Sequence, residues 1–185
     1  MSAPARLVVV TGGPYSGKTT LVRALAGRGF ATVPEAAIDV IGTLNDGMGL
    51  EEQRAWRRDH LLEFQQMVFE LQVQREEALG PRPGTVFLDR GIADGIAYCE
   101  NAGIEPPARF RDRAVASGYA HAFVLETLEG FETRSTTGRM SRREDSLRIG
   151  RLIAGAYRSI GVAVTLVGGL PVEQRLDLVL ETLGG

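Results

Sequence analysis

The chain has 185 residues, enough to bury the core of one ordinary α/β domain and too few for two. Its 21 lysines and arginines against 23 aspartates and glutamates leave a formal net charge of −2, which argues against non-specific nucleic-acid binding and for a small-molecule partner. One cysteine, Cys99, excludes an intramolecular disulfide and fits a reducing cytoplasm. No apolar run reaches the length of a membrane span or of a secretory signal, so a cytoplasmic protein without a membrane partner is expected, with Cys99 as a small core residue.

In chain order, the apolar, β-branched segment 6–11 predicts a strand. It runs into Gly12-Gly13-Pro14-Tyr15-Ser16-Gly17-Lys18-Thr19, a full match to G-x-x-x-x-G-K-[ST]. In that pattern the glycines let backbone N–H groups turn inward around a β-phosphate. Lys18 supplies a point charge to the β- and γ-phosphates, and the Thr19 hydroxyl is suited to Mg²⁺. Leu21, Val22 and Leu25 share one face of a predicted helix over 17–27 that starts at the loop and includes Thr20. Its N-terminus therefore faces the phosphates, and the motif points to a nucleoside triphosphate such as ATP, with Mg²⁺.

A second strand over 30–34 leads to Glu35 and a helix over 36–46. The segment 50–79 reads as one long helix with Leu61, Phe64, Val68 and Leu71 on one stripe, closed by Gly80-Pro81-Arg82-Pro83-Gly84. Leu62, Phe69 and Val73 form a second apolar row, suited to further core or to a contact in a possible homodimer. A strand over 85–89 follows, then helices over 91–102 and 107–117 and a strand over 120–126. Residues 127–143 lack apolar periodicity, are rich in Arg, Thr, Ser and Gly, and predict an arginine-rich lid. A helix over 142–160, a strand over 162–167 and a helix over 172–183 complete the chain. Helices alternating with five short apolar strands predict a three-layer α/β sandwich around a five-stranded parallel sheet, one domain spanning 1–185.

Ligands of open parallel sheets gather beyond the carboxyl ends of the strands. The run Val86-Phe87-Leu88-Asp89 ends in a carboxylate placed to hold Mg²⁺ or its water shell beside a triphosphate. Arg90 beside it is suited to neutralise a transferring phosphoryl group or, alternatively, to form an ordinary salt bridge. Val33-Pro34-Glu35 brings a carboxylate to the mouth of the sheet, where Glu35 could accept a hydroxyl proton; a helix-start role is its alternative. Arg134, Arg139, Arg142 and Arg143 in the lid segment could supply charge to the transition state, with Arg139 and Arg143 the chosen pair.

These residues resemble a family. The chain is similar, from Leu7 to the closing helix, to small P-loop kinases of the group that includes deoxyribonucleoside kinases and the ribosylnicotinamide kinase domain, and especially to compact bacterial AAA-type predicted ATPases. Val33-Pro34-Glu35 resembles the V-P-E motif whose glutamate activates the acceptor. Asp89-Arg90-Gly91 resembles their [ED]-R-S motif, with glycine in place of serine. Phe64-Gln65 resembles the pair whose glutamine binds the nucleobase, and Arg142-Arg143-Glu144-Asp145 resembles the lid-end R-E-E. Gly168-Gly169-Leu170-Pro171 lies where relatives wrap adenine. The resemblance implies a P-loop NTPase fold with Glu35, Gln65 and Arg90 at the acceptor. Tyr15, Trp56 and Tyr98 are further candidates for lining an acceptor pocket, with core or rim positions as the alternative.

The expected activity is ATP-dependent phosphoryl transfer to a hydroxyl of a small, nucleoside-like metabolite. The alternative is a P-loop NTPase that hydrolyses ATP or GTP to switch or drive a partner. A polynucleotide 5′-hydroxyl kinase would need a basic groove that the balanced charge does not suggest. A nucleotide monophosphate kinase would draw on Arg57, Arg58 and Arg109 for an acceptor phosphate.

Overall fold

The computed structural model describes residues 5–128 and 143–184, apart from the side chain of Arg143. Strands β1 (Arg6–Gly12), β2 (Ala31–Val33), β3 (Thr85–Asp89), β4 (His121–Leu125) and β5 (Val164–Val167) form one sheet in the order β2-β3-β1-β4-β5. Every pairing is parallel; Val8 of β1 stands opposite Phe87 of β3 on one side and His121 of β4 on the other. The chain leaves β1 toward β2 and β3 and later crosses to β4, so β1 lies at the point where strand order reverses. A crevice opens there beyond the strand ends.

The sheet is buried on both faces by eight helices among the described residues: α1 (Lys18–Gly27), α2 (Ala36–Met48), α3 (Leu50–Asp59), α4 (Leu61–Ala78), α5 (Ala93–Asn101), α6 (Ala108–Ala116), α7 (Arg143–Ser159) and α8 (Val172–Gly184). Alternation along the strands decides which helices cover which face. Val9, Val86, Leu88, Ala122 and Val124 point to one side and pack with Phe69, Ile96, Phe110 and Ile153 of α4, α5, α6 and α7. Val8, Val10, Phe87, Phe123 and Leu125 point to the other and meet Leu21 and Leu25 of α1 and Leu176 and Val179 of α8. Burying each such leucine or phenylalanine contributes roughly 1.5–3 kcal/mol, which is why the near-continuous apolar strands specify a central sheet.

Cys99 lies within this core, and burial pushes its thiol up to about 11, so it packs as an inert apolar group. The apolar stripe of α4 is also core: Leu61, Phe64, Val68 and Leu71 pack on Val40, Ile41 and Leu44 of α2. In the second row, Phe69 is buried in the core on the sheet side, and Leu62 and Val73 pack against it partly buried.

One expectation is corrected. The helix expected over 50–79 is two helices, broken at His60, whose backbone leaves the helical region at φ −123 and ψ 44. The His60 N–H still donates to the Trp56 carbonyl at 2.7 Å, and its imidazole stacks on the Trp56 ring at 5.0 Å. Of α3 only Gln53 is buried, whereas α4 buries Phe64, Gln65, Phe69, Gln72 and Glu76. The apolar stripe begins only at Leu61, whereas the polar α3 adds Trp56 to the apolar cluster and packs on both α2 and α4. Residues 129–142 of the expected lid, including Arg134, Arg139 and Arg142, lie outside the described residues, and Arg143 opens α7. No helix among the described residues is long and apolar enough to cross a membrane.

Candidate active site

The phosphate loop joins the end of β1 to the start of α1 at the centre of the sheet edge. Gly12 is required by space: a Cβ there would collide with the Leu125 carbonyl of β4 and come within 2.8 Å of Ser16 Oγ. Lys18 opens α1, is 5 % exposed, and donates from Nζ to the Gly13 carbonyl at 2.9 Å. Its ammonium thus lies inside the curl of the loop beside the positive end of the helix, where an anionic ligand gains from both. Pro14, Tyr15, Gly17, Lys18, Thr19 and Thr20 line a cavity of 210 Å³ together with Glu35 and Ile38.

The Thr19 hydroxyl donates to Asp89 Oδ2 at 2.8 Å, bringing together the two residues expected to hold the metal. The other carboxylate oxygen, Asp89 Oδ1, is buried without a hydrogen-bond partner among the described residues. Burial, reinforced by the charge of Glu35, holds the Asp89 carboxyl above its usual pKa despite Lys18, Thr19 and Arg90. A hydroxyl and an under-satisfied carboxylate facing a phosphate cradle match the one-or-two-ligand preference of Mg²⁺, which keeps waters and phosphate oxygens for its remaining positions.

Arg90 follows β3 with φ 74, a left-handed conformation unusual for a side-chain-bearing residue. Its guanidinium donates from Nε to Glu35 Oε1 at 3.0 Å and from Nη1 to Asp94 Oδ1 at 2.8 Å, with all three side chains buried. Burial opposes its charge, yet Tyr98, Glu35 and Asp94 outweigh burial and raise its pKa further above the ordinary arginine value. Glu35 occupies the N-cap position of α2 but makes no side-chain cap bond; its carboxylate turns to Arg90 instead. Glu35 thus stands at the start of α2, as its helix-start alternative has it, and at the same time pairs with Arg90. Gly91, where relatives carry serine, is explained by the tyrosines behind it: a Cβ would lie 2.7 Å from Tyr157 Oη and 3.1 Å from Tyr119 Oη.

Asp94 is the hub of this cluster, and sequence reading missed it. It accepts from Thr11 Oγ1 at 2.5 Å, Arg90, the Gly91 N–H at 3.3 Å and Tyr157 Oη at 2.7 Å. Burial and then Asp94 raise the Tyr157 pKa, so the phenol stays a donor. Behind it, Tyr119 and Gln72 both donate to Glu76 Oε1, at 2.7 and 2.9 Å. The only sequence signal was spacing: Asp94 stands four residues after Arg90, in the first turn of α5.

A larger cavity of 490 Å³ lies between α2, α3, α4 and α5. Glu35, Arg90 and Asp94 line it, as do Phe64, Gln65, Val68, Phe69 and Tyr98. The Phe64-Gln65 pair thus lines this cavity, with Gln65 5 % exposed. Tyr98 lies beneath the Arg90 guanidinium at 5.4 Å. Arg57 and Arg58 reach this cavity, and so does Arg54, which sequence reading did not single out. Arg109 does not; it pairs with Glu70 at 2.7 Å and lies over the Phe69 ring. Trp56 packs in the α2–α4 cluster rather than lining the cavity.

Two contacts anchor the loop from behind. Arg175 of α8, 2 % exposed, donates to the carbonyls of Ser16 at 2.5 Å, Gly168 at 3.0 Å and Glu126 at 3.2 Å. It ties the Gly168–Pro171 turn to the phosphate loop. Thr127, the first residue of the expected lid, and Ser146, beyond its end, hydrogen-bond each other at 2.5 Å, and Ser146 donates to the Pro14 carbonyl at 2.7 Å.

Solved structures share the fold. The thymidylate kinase of Candida albicans aligns with a TM-score of 0.64 and 15% identity over 100% of this chain and 93% of its own. The deoxyadenosine kinase of M. mycoides with bound dCTP aligns at 0.65 and 9% identity, covering 96% of this chain and 98% of its own. NadR protein in complex with NR aligns at 0.67 and 18% identity over 98% of this chain and 51% of its own. No curated protein matches the sequence. With a phosphate loop at the strand-order reversal of a five-stranded parallel sheet, and a family profile described as AAA domain matching residues 7–175, the chain belongs to the AAA domain family of P-loop proteins.

Proposed function

We propose that the protein is an ATP-dependent phosphotransferase that moves a γ-phosphoryl group to a hydroxyl of a small, nucleoside-like metabolite. One observation carries this reading: Glu35 lines both the phosphate-loop cavity and the 490 Å³ cavity, so one carboxylate stands at their junction. Hydrolysis needs no second, largely apolar cavity behind the carboxylate. The kinases among the fold neighbours support the same reading.

Phosphoryl transfer asks for positioning and charge stabilisation. Lys18 and the loop N–H groups hold the β- and γ-phosphates, and Thr19 and Asp89 would hold Mg²⁺, which screens phosphate charge when bound. Glu35 accepts the proton of the attacking hydroxyl. Arg90 fixes the direction of Glu35 and places positive charge beside the transfer path. Arg139 and Arg143 are assigned to neutralise the transferring group from the lid.

The test is product mass across a panel of nucleosides, nucleotides, vitamins and amino sugars incubated with ATP and Mg²⁺, with Lys18→Ala as the blank. Acceptor-dependent ADP release with a product heavier by one phosphoryl group supports the proposal; ADP release unaffected by any acceptor favours an NTPase. Within this reading Asp94 is a positioning residue. Asp94→Asn leaves one accepting oxygen where the carboxylate has two, and no charge to hold Arg90, and is expected to lower kcat about tenfold with the KM for ATP unchanged. A parallel rise in the ATP KM would instead place its effect on the phosphate loop, through Thr11.

A further inference from the structure

The 490 Å³ cavity is graded from end to end. Its inner end is closed by Glu35 and Arg90, whose side chains are 3% and 7% exposed. Along α4 its lining is mostly apolar, with Phe64, Val68 and Phe69 beside the polar Gln65. Its outer rim is set by α3, where the Arg54 and Arg58 side chains are 31% and 74% exposed and the Arg57 guanidinium lies 5.4 Å over the Phe64 ring.

Charge is graded in the same direction. Four arginines line the cavity against two carboxylates, and both carboxylates are ion-paired to Arg90 at the inner end. The remaining positive charge is at the rim. The rim pairs, Arg54 with Glu51 and Arg58 with Asp59, are solvent-facing, and neither acid lines the cavity. Exposed pairs of this kind contribute little, so a ligand anion exchanges with them at small cost.

From this we infer that the acceptor bears an anionic group, of carboxylate size, at the end remote from its reacting hydroxyl, and that Arg54, Arg57 and Arg58 read it. The inference rests on the phosphotransferase reading, which puts the hydroxyl beside Glu35. The acceptor then has a hydroxyl at one end, a flat or apolar body between Phe64 and Phe69, and an anion under α3. A neutral nucleoside would leave the rim charge unused, whereas planar guanidinium groups match a carboxylate well.

Matched pairs that differ only in that group test the inference: nicotinate riboside against nicotinamide riboside, and orotidine against uridine. Trp56, the one tryptophan in the chain, sits on α3 beside Arg57 and reports binding by its fluorescence. The carboxylate member of at least one pair is expected to bind about tenfold tighter, with the advantage shrinking as salt rises. The double variant Arg54→Gln/Arg58→Gln should abolish that advantage while binding of the neutral member persists. Equal affinity within both pairs, an advantage that survives the double variant, or no binding by any of the four would overturn the inference. Transfer to the neutral members with no carboxylate preference would sink it while leaving the phosphotransferase reading intact. A carboxylate-selective Trp56 response that the double variant removes, but without phosphoryl transfer, would uphold the anion site and sink that reading instead.

Discussion

Glu35→Gln is expected to lower kcat by about 10²–10⁴-fold while leaving ATP affinity close to that of the unmodified protein. Glutamine keeps the size of the side chain and an oxygen that can accept from Arg90, so the geometry around Nε survives. What is lost is the charge and the ability to take a proton from the acceptor. Glu35 lines the same cavity, but the groups that would hold the triphosphate, the loop, Lys18 and Thr19, are themselves unaltered. Calorimetric titration with a non-hydrolysable ATP analogue and steady-state ADP release with a productive acceptor separate the two effects. Because a charge partner of buried Arg90 is removed, the variant's melting curve must be recorded alongside. A folded Glu35→Gln protein with kcat within threefold of the unmodified enzyme would remove Glu35 from its role.

Asp89→Asn is expected to do two opposite things: abolish Mg²⁺-supported transfer, by about 10²–10³-fold or more, and stabilise the metal-free fold at neutral pH. Burial first, and the nearby charge of Glu35 second, raise the Asp89 pKa in the folded state. Between the ordinary carboxylate value and that raised value, the folded protein binds more protons than the unfolded chain. The stability contributed by Asp89 is therefore full below the ordinary carboxylate value and lost as pH rises through the raised one. Asparagine carries no charge at any pH and can still accept from Thr19. In chelator at pH 7 the variant should melt above the unmodified protein, with the gap narrowing as the pH is lowered through the carboxylate range. A variant that melts lower at pH 7, by a margin that shrinks as the pH falls through the carboxylate range, would mean that the fold favours the charged carboxylate.

Sequence was most informative where chemistry is packed into contiguous residues. Gly12 to Thr19 contain the whole phosphate loop, and Asp89-Arg90 and Glu35 each end an apolar strand, so topology alone brings them to one edge. It was least informative where partners lie far apart. Asp94 is joined to Tyr157 across 63 positions, Arg175 to Ser16 across 159, and Ser146 to Pro14 across 132. Nothing in a helical aspartate or arginine marks it as a hub until the fold brings those residues together. The break at His60 was hidden for a local reason: no proline or glycine marks it, and helix-forming residues stand on both sides. Under the proposed function that break matters, because Arg54, Arg57 and Arg58 of α3 line the 490 Å³ cavity.

The central claim is that the γ-phosphoryl group passes to an organic hydroxyl held beside Glu35 and not to water. Its most direct test is the fate of label from γ-labelled ATP, followed in one reaction with the productive acceptor from the panel and Mg²⁺. Most of the label is expected in the organic product, with Glu35→Gln suppressing that fraction and Lys18→Ala eliminating turnover. Label recovered wholly as inorganic phosphate, at a rate that no acceptor changes and that Glu35→Gln leaves unaltered, would contradict it.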